Sequence, residues 1–189
     1  MIIVGDADDT FVITRIEQMK KAYQLDKAAA FYYNGLVTDE GDKVFDVMPA
    51  KANDVLAIAQ ANFLGMSTTA INLNKLSYEF LESLKEGDCK IFDWYLFSRI
   101  LLDVGYGVYV EDAQTVYRIH ENNTVGVSHD IELEKHVKLE HYARLAKNYP
   151  IFDGLYKALA GLDLDSIDTT NSHHGYWWSN IMMEDFNEI

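Results

Sequence analysis

Apolar and polar residues follow two rhythms along this chain, and their order predicts alternating strands and helices. Ile2, Ile3 and Val4 form an apolar run that ends at Gly5. A run with no polar partner positions predicts a strand buried on both faces, as inside a largely parallel sheet. Three carboxylates follow at once, Asp6, Asp8 and Asp9. From Ile13 to Leu25 apolar residues recur at Ile13, Ile16, Met19 and Tyr23, with Arg15, Lys20 and Lys21 between them, which is helical spacing. Ala28–Tyr33 predicts a buried strand. Val37–Val47 predicts a hairpin whose tip, Asp39-Glu40-Gly41-Asp42, uses Gly41 for a positive φ. A short helix is expected over 52–61, after Pro49, which restricts Met48. Phe63–Leu73 predicts a loop entering a strand, with Asn74 capping a helix through Leu84.

Gly87-Asp88 interrupts the chain before a segment that is apolar on nearly every side from Phe92 to Leu102. That predicts a buried helix ended by Gly105, with Phe92, Trp94 and Phe97 in the core. Val108–Val110 and Thr115–Ile119 predict two short strands. A helix is expected over Asp130–Lys147, with Leu133, Val137, Tyr142 and Leu145 on its apolar side, ended by Pro150 and followed by a shorter helix to Leu162. The stretch His173–Met183 is aromatic and polar without a period. The pattern gives a domain over 1–128, C-terminal helices over 129–162 and an acidic, aromatic tail over 163–189. The fold class is α/β, with a mixed central sheet flanked by helices.

Composition narrows the function classes. A length of 189 residues suits one domain, or one with an appendage. No apolar run approaches the roughly 20 residues that span a bilayer, and no signal peptide is visible. The single cysteine, Cys89, cannot form an internal disulfide, so the expected location is cytoplasmic. A formal charge of −14 argues against a general nucleic-acid binder, which needs cations against phosphate. The run Leu162–Ile189 holds acids and no Lys or Arg, which reads as a solvated face.

Four places carry candidate chemistry. The acids at Asp6, Asp8 and Asp9 repel one another, and a divalent cation held by oxygen ligands, Mg²⁺ or Mn²⁺, would relieve that. The alternative is an acidic turn in which Asp9 or Thr10 caps the next helix. Strand alternation puts Arg118 and His120 on one face, with Tyr117 and Ile119 on the other. That is an anion or metal site, or an edge strand with solvated polar residues. Asp93 is either an N-cap or a carboxylate held in a cleft as a general base. Gly65-Met66-Ser67-Thr68-Thr69 offers hydroxyls to a sugar, or is ordinary turn chemistry. His136 and His141 are spaced poorly for one metal and read as solvated. His173-His174 beside Tyr176-Trp177-Trp178 would dock on a partner or a carbohydrate, or fold back onto the domain.

These pieces, in this order, resemble the family 2 glycosyltransferases of the GT-A fold. The resemblance runs from Asp6 to Gly126, about two thirds of the chain. Its parts are the turn Asp6-Ala7-Asp8-Asp9, the helix start Ile13-Thr14-Arg15-Ile16-Glu17 and the hairpin Thr38-Asp39-Glu40-Gly41. Then come the small-residue acceptor loop Phe63-Leu64-Gly65-Met66-Ser67, the pair Asp93-Trp94, and Tyr117 to Gly126, YRIHENNTVG. The last is the most specific.

The resemblance implies a partial GT-A (nucleotide-diphospho-sugar transferase-like) fold and metal-dependent, inverting transfer of a sugar from a nucleotide sugar, a UDP-sugar by expectation, to a hydroxyl acceptor such as a glycan. It implies that Asp6 and Asp8 hold Mn²⁺ or Mg²⁺ and the donor's ribose–diphosphate end, with Asp9 sharing that work. His120 would complete the metal shell and Arg118 lie against the diphosphate. Asp93 would deprotonate the acceptor, which Gly65, Ser67, Thr68 and Trp94 would bind. Family members carry a nucleotide-binding half before the DxD strand, and this sequence starts at that strand. The expectation is therefore a split enzyme, a shortened product or a remnant with another use, in each case with a second copy or a partner chain covering an open sheet edge. Two other classes compete: a haloacid dehalogenase-like phosphatase, with Asp6 as nucleophile and Asp8 as acid/base in Asp6-Ala7-Asp8-Asp9-Thr10, and a non-catalytic interaction module.

Overall fold

The structure is a computed structural model that describes residues 1–7, 9–85, 89–118, 130–167 and 173–183. The chain forms two compact units, Met1–Ala59 with Phe63–Asn123, and Gln60–Asn62 with Thr124–Ile189. The protein is mixed α/β, with a curled mixed sheet flanked by helices.

The first unit contains β1 (Ile2–Ile3), β2 (Thr10–Phe11), α1 (Arg15–Leu25), β3 (Phe31–Thr38), β4 (Lys51–Ala52), β5 (Thr69–Ile71), α2 (Tyr78–Ser83), α3 (Phe92–Asp103) and β6 (Gly107–Tyr117). The sheet order is β1-β5-β3-β6-β2, with β4 also on β6. Only β3 and β6 run parallel among the described pairs; the others are antiparallel. Residues of β3 alternate between two cores. Tyr32 joins Met19, Ala29, Ala70, Val110 and Ala113 on the α1 side. Phe31 and Tyr33 face the other way, where Phe31 stacks on Phe97 of α3 with ring centroids 5.2 Å apart.

Several expectations are corrected here. β1 is not an internal strand of a parallel sheet: it ends the strand order, antiparallel to β5, and Ile2 is 45% exposed. The run is too short to span a sheet before Gly5 turns the chain. The two strands expected over 108–119 are one strand, β6, within the described residues. Its register against β3 shifts between Tyr33 and Gly35, so Gly107–Tyr109 and Gln114–Tyr117 pair as separate runs around a bulge. The helix expected over 52–61 is a 3-10 turn, Val55–Ile58, capped by Asp54. Ser77 rather than Asn74 caps α2, its hydroxyl accepting the Phe80 N–H at 3.1 Å. The hairpin tip matches its sequence: Gly41 has φ 91°, and the Thr38 N–H reaches the Asp42 carbonyl at 2.8 Å.

The buried face of α1 also differs from the expected one. Ile13 is fully exposed before the helix begins and Ile16 is mostly exposed. The buried positions are Arg15 and Met19, with Ala22 and Tyr23 partly buried beside them. Those four lie on one stripe of a helix. The stripe is turned by the burial of a cation, which apolar periodicity alone cannot register.

The second unit contains α4 (Ile131–Ala146) and α5 (Pro150–Ala160). Asp130 caps α4, accepting the Leu133 N–H at 3.0 Å. Val137, Tyr142 and Leu145 are buried as expected, along with Phe152, Leu155 and Leu159 of α5, whereas Leu133 is largely exposed. His141 was expected at the surface and is buried; burial and the cations of Arg144 and Lys138 lower its proton affinity to a pKa of about 3. Lys138 is wholly buried in an ion pair with Glu134 at 3.0 Å, and its ammonium also donates to the Ile181 carbonyl. Glu134 accepts the Ile181 N–H at 2.9 Å and the Asn180 side-chain amide at 2.8 Å. Segment 173–183 is thereby fastened to α4. It also pairs with Asn62, whose N–H and carbonyl bond Trp177 at 2.8 and 2.9 Å. Among the described residues no helix is long and apolar enough to cross a membrane.

Candidate functional site

Three segments distant in sequence meet at the end of β1. Past Gly5 the chain turns through Asp6, and the Asp9 N–H closes that turn on the Asp6 carbonyl at 3.3 Å. The Phe11 ring lies across Gly5 so closely that a Cβ there would stand 2.6 Å from its Cζ. Glycine is needed at this position for that approach. In this turn Asp6 is exposed and Asp9 half-buried. Neither Asp9 nor Thr10 caps a helix, because Thr10 belongs to β2 and α1 begins at Arg15.

The second segment is the small-residue loop. The Asp6 N–H donates to Ser67 Oγ at 3.2 Å, tying turn to loop across 61 positions. Within the loop, Thr68 Oγ1 accepts the Gly65 N–H at 3.1 Å and donates to the Gly65 carbonyl at 3.0 Å. Gly65, Ser67 and Thr68 are all buried. The hydroxyls of Ser67 and Thr68 bond within the protein, and Thr68, 1% exposed, presents no surface to an acceptor.

The third segment is the start of α3. Asp93 is the second residue of the helix, not its N-cap, which is Ile91. Its Oδ1 accepts the Trp94 N–H at 2.7 Å. Burial pushes the Asp93 carboxyl up to about 6, the Trp94 N–H pulls it back, and the negative charge of Asp6 pushes it further up. Asp93 still keeps partial access to solvent. A helix N-terminus ordinarily favours an anion by up to roughly 1 kcal/mol at the surface. Here desolvation is the larger effect, and the result is a carboxyl that holds its proton well above the usual carboxylate range. Trp94 is 0% exposed with its indole N–H on the Ile58 carbonyl at 2.7 Å, in the core as its apolar segment predicts, which leaves it no exposed surface for the acceptor contact that the resemblance implies. Phe92, expected in the core, is 45% exposed.

Beneath these segments lies a polar network that the apolar pattern did not disclose. Arg15 is 2% exposed, with Nε donating to Asn34 Oδ1 at 2.9 Å and Nη2 to the Ser67 carbonyl at 2.6 Å. Both terminal nitrogens also reach the Val4 carbonyl, at 3.5 and 3.4 Å. Asn34 Nδ2 donates to Thr115 Oγ1 at 3.0 Å, and that hydroxyl donates to the Ser67 carbonyl at 3.0 Å. Burial lowers the Arg15 pKa to about 10 while the charge of Asp9 raises it, so the guanidinium stays charged at neutral pH. The one sequence feature that could have flagged the network is Asn34, a lone amide in the buried strand FYYNGLVT.

The remaining candidates are placed as follows. Arg118 is exposed, directly after β6. Asp8 and His120 lie outside the described residues, as do Ile119 and the rest of YRIHENNTVG beyond Arg118. The carboxylate oxygens of Asp6 and Asp9 are the donor type that Mg²⁺ or Mn²⁺ takes. Among the described residues, no group of three or more His, Cys, Asp or Glu is arranged to hold a metal ion. His173 and His174 stack with ring centroids 4.2 Å apart, next to Tyr176. Compared with protein-family models, curated proteins and solved structures, the chain matches none.

Proposed function

We propose that the first unit is a glycosyltransferase-like site, in which Asp93 is the general base for transfer of a sugar from a nucleotide sugar to a hydroxyl acceptor. The observation that carries this reading is the approach of Asp6 and Asp93, 87 positions apart, close enough for one charge to raise the proton affinity of the other. The resemblance to the GT-A family requires that approach. The phosphatase-like reading of the opening turn gives Asp93 no part. In the proposed reaction the Asp93 carboxylate takes the acceptor hydroxyl proton as that oxygen bonds to the anomeric carbon. The bond from that carbon to the diphosphate oxygen breaks with inversion, and the nucleoside diphosphate leaves. Asp93 suits the task because burial raises its carboxyl to about 6, closer to neutral pH than an ordinary aspartate.

Asp6 and Asp8, with Asp9 and His120, would hold Mn²⁺ or Mg²⁺ in this reading, and Arg118 would lie against the diphosphate. Such a cation, when bound, stabilises charge developing on the leaving diphosphate. Ser67 acts through its hydrogen bond to Asp6 rather than by touching the acceptor.

The test is binding and turnover with a panel of nucleotide sugars and Mn²⁺. The expected result is Mn²⁺-dependent binding of a nucleotide sugar that is lost in Asp6→Asn and kept in Asp93→Asn. Transfer or donor hydrolysis in Asp93→Asn should fall by on the order of 10²–10⁴. Failure of every nucleotide sugar to bind, with hydrolysis of a generic phosphomonoester that Asp6→Asn abolishes, would move the reading to a phosphatase.

A further inference from the structure

We propose that Arg15 is the positioning residue of this site: by donating to the carbonyls of Val4 and Ser67 together, it holds the end of β1 and the 65–69 loop at the spacing that seats Asp6 beside Asp93. The inference rests on the sugar-transfer reading only for what that seat is used for.

The two carbonyls belong to segments 63 residues apart in sequence, and the same segments are joined by the Asp6 N–H, which donates to Ser67 Oγ at 3.2 Å. The same guanidinium is held from two further sides. Asn34 Oδ1 takes its Nε–H at 2.9 Å, and the Phe11 ring lies 4.4 Å from its Cζ. Phe11 is also the ring packed on Gly5, so the clamp reaches the turn by a second route. A planar fork of fixed donors can satisfy three acceptors in different directions. An ammonium at the same place is a point donor on a flexible stem, and a methionine donates nothing. Burying a guanidinium costs free energy that a surface arginine would not incur. Here that cost is offset by carbonyls at the seams of the site and by the nearby charge of Asp9.

Residue-resolved amide hydrogen exchange on the wild type, Arg15→Lys and Arg15→Met decides the matter without any ligand. The expected result in Arg15→Met is exchange faster by on the order of tenfold at Asp6 and Thr68, while Tyr32 and Val110 in the central sheet keep their wild-type protection. Arg15→Lys is expected to fold and to show the same pattern more weakly, which keeps the test open if Arg15→Met does not fold. Acceleration spread evenly over sheet and turn, or wild-type rates at Asp6 and Thr68 in the lysine variant, would overturn the proposal and leave Arg15 a generic core contact. Titration with Mn²⁺ alone separates the two claims. Loss of about tenfold in affinity in Arg15→Lys supports both. A wild type that binds no Mn²⁺ counts against the metal part of the sugar-transfer reading, and the exchange pattern still rules on Arg15.

Discussion

Burial that raises the proton affinity of a carboxyl also makes its charged form costly to the fold, and Asp93 is such a group. Its proton affinity in the folded state is raised to about 6, above that of an unfolded aspartate. Its favourable contribution is therefore present at low pH, where the group is protonated in both states, and is lost as the pH rises through about 6. Asp93→Asn removes the ionising group. We expect the variant to be more stable than the wild type near pH 7.5, by on the order of 1–3 kcal/mol, with the difference shrinking towards pH 4. Urea unfolding at the two pH values measures it. In the same sample catalysis should be nearly lost. The wild-type rate should rise as pH increases through about 6, and in Asp6→Asn the Asp93 carboxyl itself should titrate at lower pH, read by NMR without donor, because the charge of Asp6 helps to hold the Asp93 proton. A variant that is inactive and less stable at every pH would place Asp93 in a structural role instead.

At the level of elements, the closed turn between β1 and β2 depends on a missing side chain. A Cβ at Gly5 would meet the Phe11 ring at 2.6 and 2.9 Å, so Gly5→Ala must shift that ring, which also lies 4.4 Å from the Arg15 Cζ. Pushing the partly exposed ring aside is expected to cost about 0.5–1.5 kcal/mol, with weaker Mn²⁺ binding under the proposed metal role. Calorimetry and metal titration measure the two, and an alanine variant with wild-type values in both would sink the account of the turn. The same region explains what the sequence could and could not disclose. Phe92–Leu102, Asp130–Lys147 and the Gly41 tip were legible because each is set by local rules: continuous apolarity, capping and positive φ. Asp6, Ser67 and Asp93 were legible as candidates from a resemblance of ordered motifs. Arg15 and Thr115 were not. A helix stripe is read from apolar residues, and Ile13 and Ile16 pointed to a face that the buried guanidinium turns outward. The edge position of β1 was illegible for a related reason. Three apolar residues look alike whether they end a sheet or cross its middle, and the pairing with Thr69–Ile71 is a long-range fact.

At the scale of the whole molecule, the second unit carries a buried ion pair whose loss would be costly. Lys138 and Glu134 are buried at 0% and 3% side-chain exposure, and burial lowers the Lys138 pKa to about 8 against the pull of Glu134. Removing one partner strands the other's charge in the interior. Lys138→Met is expected to cost about 3 kcal/mol or more, read by urea unfolding. It should also release segment 173–183, read as increased proteolysis near Trp177. A variant as stable as the wild type would mean that the other donors to Glu134 suffice alone.

Gln60–Asn62 belongs to the second unit although the chain on either side belongs to the first. The Gln60 amide bonds both the carbonyl and the N–H of Met183, at 3.1 and 2.7 Å, and Asn62 exchanges main-chain bonds with Trp177. Both residues are almost fully buried. Scissors applied after position 123 would therefore not yield a tidy fragment. The severed N-terminal piece would expose four hydrogen-bonding groups made to be answered by the portion cut away, so engineered halves should be co-expressed or left joined.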